Sequence, residues 1–291
     1  MSLDFALTDE QELLRDQVRR FAEERIAPGV RERDREHRFP VELVRELGEL
    51  GLFGVMVPEK YGGAGFDPVA YVIAIEELSR ICPSIGGTIS VTNSVCGWPI
   101  WRFGTEVQKT TVLREISSGV CLGGFGLTEP GSGSDAASMR TTARRDGDSW
   151  ILNGEKAWIT NAGEARYFVT LAKTDAAAGK RGISAFIVPS KAPGFAVGVP
   201  EEKLGLRASR TAPLTFTDCR IPAENLLGSE GQGFKIALAT LDHSRLGIAA
   251  QAVGIHQRAL ELAVAYARER VQFGVPIARH QAVAFSIAKI A

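Results

Sequence analysis

The apolar positions fall into three successive regimes. Over about the first 120 residues they recur at helical spacing. Thr8 with Gln11 makes a capping box, and Leu14, Val18, Phe21 and Ile26 then repeat along one face until Pro28. Pro40 opens a second helix, with Leu43, Leu47 and Leu50 on one side and Gly51 near its end. Tyr61-Gly-Gly-Ala-Gly65 reads as a loop, and Asp67-Pro68 starts a helix through Val72, Ile75 and Leu78. Small and apolar residues over 83–99 predict a buried helix. From about 122 to 227 the period shortens. Residues 150–160 carry Asn153-Gly154 between two apolar runs, the signature of a tight hairpin, and 167–172, 183–188 and 214–216 are further strands. Short strands with no helices between them predict a small antiparallel barrel or sandwich. After Gly228 helical spacing returns through Phe234, Leu238, Leu241, Leu246 and Ile248, then Leu260, Leu262 and Val264. The expected fold is α+β and multidomain, divided at 1–120, 121–229 and 230–291.

Composition narrows the function. The 291 residues are 45% hydrophobic and 23% charged, which suits a folded chain of two or three domains. Lys+Arg and Asp+Glu both number 34, so bulk charge supplies no nucleic-acid or anionic-membrane surface. No apolar run approaches the roughly 18 residues of a membrane span. Asp4, Asp9, Glu10 and Glu12 argue against a signal or transit peptide, so an intracellular protein is expected. Cys82, Cys96, Cys121 and Cys219 show no CxxC pairing, and His37, His243, His256 and His280 are scattered. Free core thiols and no zinc site are the expectation.

The segment richest in chemistry is Gly126-Leu-Thr-Glu-Pro-Gly-Ser-Gly-Ser-Asp135, a strand end running into a loop. Pro130, Gly131 and Gly133 let backbone approach a ligand closely, and Thr128, Ser132 and Ser134 offer hydroxyls. A polar surface loop accounts for the same residues. It is neither a Walker loop nor a dinucleotide fingerprint.

With Leu127-Thr-Glu-Pro-Gly-Ser-Gly-Ser-Asp135, Gly154-Glu-Lys-Ala-Trp-Ile-Thr-Asn161, Leu241-Asp-His-Ser-Arg245 and Arg270-Val-Gln-Phe-Gly274, in that order and spacing, the whole chain resembles the acyl-CoA dehydrogenases. It is most similar to the short-chain or butyryl-type members. The resemblance implies a helical N-terminal domain, an antiparallel β-barrel middle domain and a C-terminal helical bundle, incomplete here. It also implies FAD. Phe125, Leu127 and Thr128 would line the pyrimidine side of the flavin, with Thr128 donating to the N1/O2 edge, where charge builds up on reduction. Trp158 would pack on the ring with Ile159 beside it, and Thr160 would reach the N5/O4 edge. Gly133 and Ser134 would line the pyrophosphate and substrate side. Asp242 and Arg245, three apart on a helix, would bind the CoA ester, although an intrahelical ion pair is the plainer reading. Arg270 would meet FAD phosphates across a subunit boundary, and Phe273 and Gln281 would lie near the adenosine half. The plainer reading of Arg270 is an exposed arginine at a helix end.

The implied reaction is α,β-dehydrogenation of an acyl-CoA thioester to the trans-2-enoyl-CoA, as in fatty-acid β-oxidation. A carboxylate takes the α-proton while the β-hydrogen leaves as hydride to the flavin. Electrons would pass to an electron-transferring flavoprotein, and the protein would be a homotetramer or homodimer in the bacterial cytoplasm rather than the mitochondrial matrix. One position departs from the pattern. Ser244 occupies the place where some members carry their base glutamate, and serine cannot serve. Other members supply the base from a later loop, expected here beyond residue 291, so residues 1–291 alone are expected to be inactive. Two alternatives stay open: an acyl-CoA oxidase passing electrons to O2, and a flavin- or acyl-CoA-binding protein that lacks the base.

Overall fold

The computed structural model describes residues 6–291, so Asp4 of the acidic N-terminal stretch lies outside them. Helices α1 (Asp9–Phe21), α2 (Val30–Arg35), α3 (Val41–Glu49), α4 (Pro68–Ile81) and α5 (Pro83–Val91) come first. They are followed by α6 (Trp98–Phe103), α7 (Glu106–Gln108) and α8 (Arg114–Ser117). The local chemistry sets the starts. Gln11 N–H donates to Thr8 Oγ1 at 3.3 Å and Thr8 N–H to Gln11 Oε1 at 3.0 Å, the reciprocal pair of a capping box. Asp67 accepts from Ala70 N–H at 2.8 Å, with Pro68 in the first turn where its missing donor costs nothing. α3 buries Leu43, Val44 and Leu47, whereas Leu50 lies beyond its last residue and is exposed. Residues 83–103 are helical throughout, but a π-helical stretch, Thr92–Gly97, separates α5 from α6.

The middle region holds strands β1 (Leu122–Gly126), β2 (Thr142–Asp146), β3 (Ser149–Thr160), β4 (Ala165–Lys173), β5 (Ile183–Pro189), β6 (Phe195–Val197), β7 (Thr211–Pro222) and β8 (Leu226–Leu227). They form one sheet in the order β6-β7-β3-β2-β4-β5-β8, with β1 also paired to β4. The expected antiparallel barrel is corrected on two points. Among the described residues β6 and β8 do not pair, so the sheet is not closed. It is also mixed, because β1 runs parallel to β4 and β2 meets β4 in parallel at Thr142 and Lys173. Glycine is why β1 fits there: a Cβ on Gly124 would lie 2.6 Å from the Phe168 ring.

The Asn153-Gly154 hairpin is also corrected. Both residues lie inside β3, where the register shifts between Leu152 and Gly154. Gly154 has φ 140°, and a Cβ there would sit 2.6 Å from Thr141 Oγ1, so this glycine serves a bulge and a close approach. The tight turn is Gly147-Asp148, between the paired residues Asp146 and Ser149, with Gly147 at φ 57°.

Helix α9 (Gly233–Glu269) runs for 37 residues and is followed by a two-stranded hairpin of β9 (Val271–Gln272) and β10 (Val275–Pro276), then α10 (Gln281–Ile290). Its apolar spacing does not mark the buried face. Leu238, Leu241, Leu246, Ile248 and Leu262 are exposed, while Thr240, Ser244, Gly247, Ala250 and Gly254 are buried. Small residues let the backbones of α9 and α4 meet: a Cβ on Gly254 would lie 2.3 Å from the Glu76 carbonyl. All four cysteines are free and buried. No helix among the described residues is long and apolar enough to cross a membrane.

Candidate active site

β1 and β3 deliver the two motif segments to one place. Phe125 is the penultimate residue of β1, Leu127 and Thr128 follow the strand, and Trp158, Ile159 and Thr160 close β3. With Val91, Val95 and Leu241 from the facing helices they line a cavity of about 200 Å³. The second register shift of β3, between Lys156 and Ile159, turns the backbone at Trp158 to φ 62°. A tryptophan in that left-handed region costs about 1–3 kcal/mol and persists where surrounding structure over-determines it. The result is an indole 59% exposed, facing open space rather than the core. The Thr128 and Thr160 hydroxyls, both half-buried, have no hydrogen-bond partner among the described residues. The Thr128 carbonyl accepts from Ala157 N–H at 2.9 Å, which ties one segment to the other.

Behind the cavity lies a buried ion pair. Lys156 Nζ stands 2.7 Å from Glu129 Oε1, with side chains 0% and 5% exposed. Lys156 also donates to the Leu127 carbonyl at 3.3 Å, and Glu129 accepts from the N–H groups of Arg140 and Thr141. Burial pushes the Lys156 ammonium down to about 8 against the pull of Glu129. For Glu129 burial pushes upward, but Lys156 and the two backbone donors outweigh it and hold the carboxyl below its ordinary value.

The remaining expected residues do not line this cavity. Gly133 and Ser134 sit exposed on the loop beyond the Glu129–Ser132 bridge. Asp242 and Arg245 form an ion pair at 2.9 Å with both side chains about three-quarters exposed, on the outer face of α9. Ser244 points the other way. It is 8% exposed, and its hydroxyl donates to the Leu241 carbonyl at 3.1 Å. Arg270, Phe273 and Gln281 gather instead around the β9–β10 hairpin. Phe273 is 94% exposed at φ 52°, and Arg270 and Gln281 are exposed beside it in sequence.

Sequence reasoning missed Lys156 and the contact of His243 with Trp98, whose rings stack at 4.5 Å. The signal for Lys156 was a lysine inside an apolar strand motif. His243 gave none, because its partner lies on a different helix. Among the described residues no cluster of His, Cys, Asp or Glu could hold a metal ion.

Family models for the N-terminal, middle and C-terminal domains of acyl-CoA dehydrogenase match residues 8–120, 124–219 and 231–291. The chain belongs to the acyl-CoA dehydrogenase family. It is 50% identical over 285 residues to the mitochondrial short-chain specific acyl-CoA dehydrogenase of Mus musculus, covering 98% of this chain and 69% of that protein. The structure of butyryl-CoA dehydrogenase from Megasphaera elsdenii superposes with a TM-score of 0.97 at 45% identity, over 99% of this chain and 76% of that one. A chain from the structural work on the electron transferring flavoprotein of Acidaminococcus fermentans matches at TM-score 0.97 and 48% identity, over 99% and 76%. A glutaryl-CoA dehydrogenase of Mycobacterium smegmatis in complex with FADH2 matches at 0.91 and 37%, over 97% and 72%.

The donor set can be tested against the flavin that this family implies. A flat heteroaromatic ring needs an apolar slot, a stacking partner and donors at its polar edge. Trp158 is exposed and held in a strained conformation beside the cavity, and Thr128 and Thr160 bring two uncommitted hydroxyls to it. These acyl-CoA dehydrogenase residues fit the ring.

Proposed function

We propose that the protein catalyses FAD-dependent α,β-dehydrogenation of a short-chain acyl-CoA thioester and passes the electrons to an electron-transferring flavoprotein. The observation that carries this reading is the convergence of Thr128, Trp158 and Thr160 on one cavity that Val91, Val95, Phe125, Leu127 and Leu241 also line. FAD, when bound, supplies the hydride acceptor. The chain's own residues prepare the site for it. Trp158 offers a stacking face, and Thr128 and Thr160 offer hydrogen bonds to a polar ring edge. Val91, Val95 and Leu241 close the opposite wall with apolar surface. Excluding water there strengthens each donor's effect on charge that develops during reaction.

No carboxylate lines the cavity. Glu129 is committed to Lys156 and two backbone donors, and Ser244 to a carbonyl. These commitments support the reading in which the proton acceptor comes from outside residues 6–291. Asp242 and Arg245, on the outer face of α9, are assigned to the CoA portion of the substrate, away from the reacting carbons. Gly133 and Ser134, on their exposed loop, keep the pyrophosphate and substrate side. Arg270, Phe273 and Gln281 are assigned to the far half of a dinucleotide held between two copies of a homotetramer or homodimer. The exposed apolar positions of α9 support further packing of that kind.

Anaerobic mixing with butyryl-CoA tests the reading. FAD added to the 1–291 chain should bind without bleaching, and a chain that also carries the remaining third present in the mouse relative should bleach within seconds. Rapid bleaching by residues 1–291 would show that a base lies within them. Hydrogen peroxide produced at the turnover rate would point to an oxidase. A longer chain that binds FAD and never bleaches would be a binding protein.

A further inference from the structure

We propose that the buried Glu129–Lys156 pair positions Thr128, setting where its hydroxyl meets the flavin edge. The inference rests on the flavin reading of the cavity and extends it to residues that do not line the ring's slot.

The pair brackets Thr128 on both sides. Lys156 Nζ donates to the carbonyl of residue 127 at 3.3 Å and to the carboxylate of residue 129 at 2.7 Å, so one ammonium holds the residues before and after Thr128. Lys156 belongs to β3, two residues before Trp158, and Ala157 N–H holds the Thr128 carbonyl at 2.9 Å. Three successive groups of the 127–129 segment are thus fastened to the strand that carries Trp158 and Thr160. Glu129 acts in the other direction. Its carboxylate also accepts from Arg140 and Thr141 N–H, which closes the loop of residues 129–141 onto its own start.

The neighbouring sequence makes room for this arrangement. A Cβ on Gly126 would lie 3.4 Å from Lys156 Cγ and 3.0 Å from Thr170 Oγ1, so the lysine stem passes over a glycine. Cohesion alone is a poor account of the pair. Well-packed apolar side chains of similar volume commonly stabilise as well as a buried ion pair or better, because two charges must be stripped of water. A charged pair adds direction, since ammonium and carboxylate fix hydrogen-bonded geometry that a methyl contact does not. Thr128 has no side-chain hydrogen bond of its own among the described residues, so its aim depends on the backbone on either side of it.

The test titrates FAD into the protein as wild type, Glu129→Gln, Lys156→Met and the double variant, reading dissociation constant, long-wavelength flavin band and melting temperature. Each single variant should weaken FAD at least about tenfold and move the band, since it leaves one buried charge without its partner. The double variant leaves no lone charge. It should recover most of the melting temperature and keep the altered band and weakened affinity, and it supplies the reading if a single variant fails to fold. Wild-type affinity and band in a folded variant would overturn the positioning role. So would an affinity loss that tracks melting temperature across all four proteins, which is what cohesion alone would give. Wild-type protein that takes up no FAD would overturn the proposed function and the pair's role with it, whereas wild-type uptake with unaltered variants overturns only the pair's role.

Discussion

The 127–141 loop with β3 and the long helix α9 both reach the same cavity, yet they are held in opposite ways. Around the loop, polar groups are buried and satisfied: Glu129 takes three donors, and Lys156 gives to both Glu129 and a carbonyl. Along α9 beyond Ile236, which is buried, the buried positions are mostly small side chains and the large apolar ones are largely exposed, with Ile248 57% and Tyr266 60% exposed. One region is fixed by directional bonds in a low-dielectric setting, the other by backbone proximity. The loop should therefore respond to loss of charge, and the helix to any added bulk.

The largest effect is expected at Lys156. Lys156→Ala leaves the Glu129 carboxylate buried beside two backbone donors and no cation, a loss of about 3–5 kcal/mol. Urea unfolding of the variant against wild type measures it. A cost under about 1 kcal/mol, within the range of exposed ion pairs, would show that water reaches the pair and that the contrast between the two regions is smaller than drawn.

Gly254→Val comes next. The added Cβ would meet the Glu76 carbonyl at 2.3 Å and the Arg80 amide nitrogen at 2.9 Å, both backbone atoms that cannot swing aside. Overpacking of this kind costs about 1–3 kcal/mol. A melting temperature equal to wild type would mean that α9 can slide on α4, and the close approach would lose its meaning.

These two positions also show which parts of the molecule the chain announces. Thr8 with Gln11 and Asp67 with Pro68 are local arrangements whose partners lie within three residues, and both form as read. Asn153-Gly154 was misread because a positive-φ glycine serves a bulge as well as a turn, and only the approach of Thr141 decides between them. On α1 and α3 the apolar spacing marks the buried face. On α9 it marks no single face: Ile236 is buried and Leu241 lines the cavity, while Leu238 and Leu246 stay exposed because the helix packs through Gly247 and Gly254. At the cavity, Thr128, Trp158 and Thr160 were legible because two motifs carry them. Lys156 and Glu129 stood in those same motifs, but their partnership spans 27 residues of sequence and exists only once β3 lies beside the loop.

The Arg80–Glu261 contact, 2.8 Å long, sharpens the comparison from the helix side. Burial would raise the Glu261 carboxyl, but hydrogen bonds from Arg80, Gln257 and Arg258 win and hold it down to about 2 from an ordinary 4.5. A carboxyl depressed in the folded state stabilises above its unfolded value and loses that contribution as pH falls through the folded one. The docking of α9 on α4 should thus weaken between about pH 4.5 and 2. Glu261 is 27% exposed, so a discount for solvent leaves about 1 kcal/mol. Glu261→Gln should flatten that part of the stability profile, and an unchanged profile would remove the ion pair from the account of how α9 is held.

The smallest effect is expected on the outer face of α9. Ile248 is 57% exposed, and Leu241, Ile255 and Leu262, at seven-residue steps from it, extend the same exposed apolar stripe along the helix. If that face is open to water in the isolated chain, Ile248→Ser removes little that folding buries. The change should then stay within about 0.5 kcal/mol, as substitutions at uncommitted surface positions do. A second copy seated there would bury the isoleucine, and removing it would cost about 1.5–3 kcal/mol. The two cases separate by concentration, because stability that includes association rises with protein concentration and stability of a lone chain does not. Chemical unfolding of wild type and Ile248→Ser at low and high concentration, with the mass of each measured by light scattering, reads both. A near-neutral, concentration-independent variant keeps α9 as a helix with one buried face of small residues. A large cost that grows with concentration would give it two buried faces, and the apolar spacing of its sequence would then mark an interface between copies.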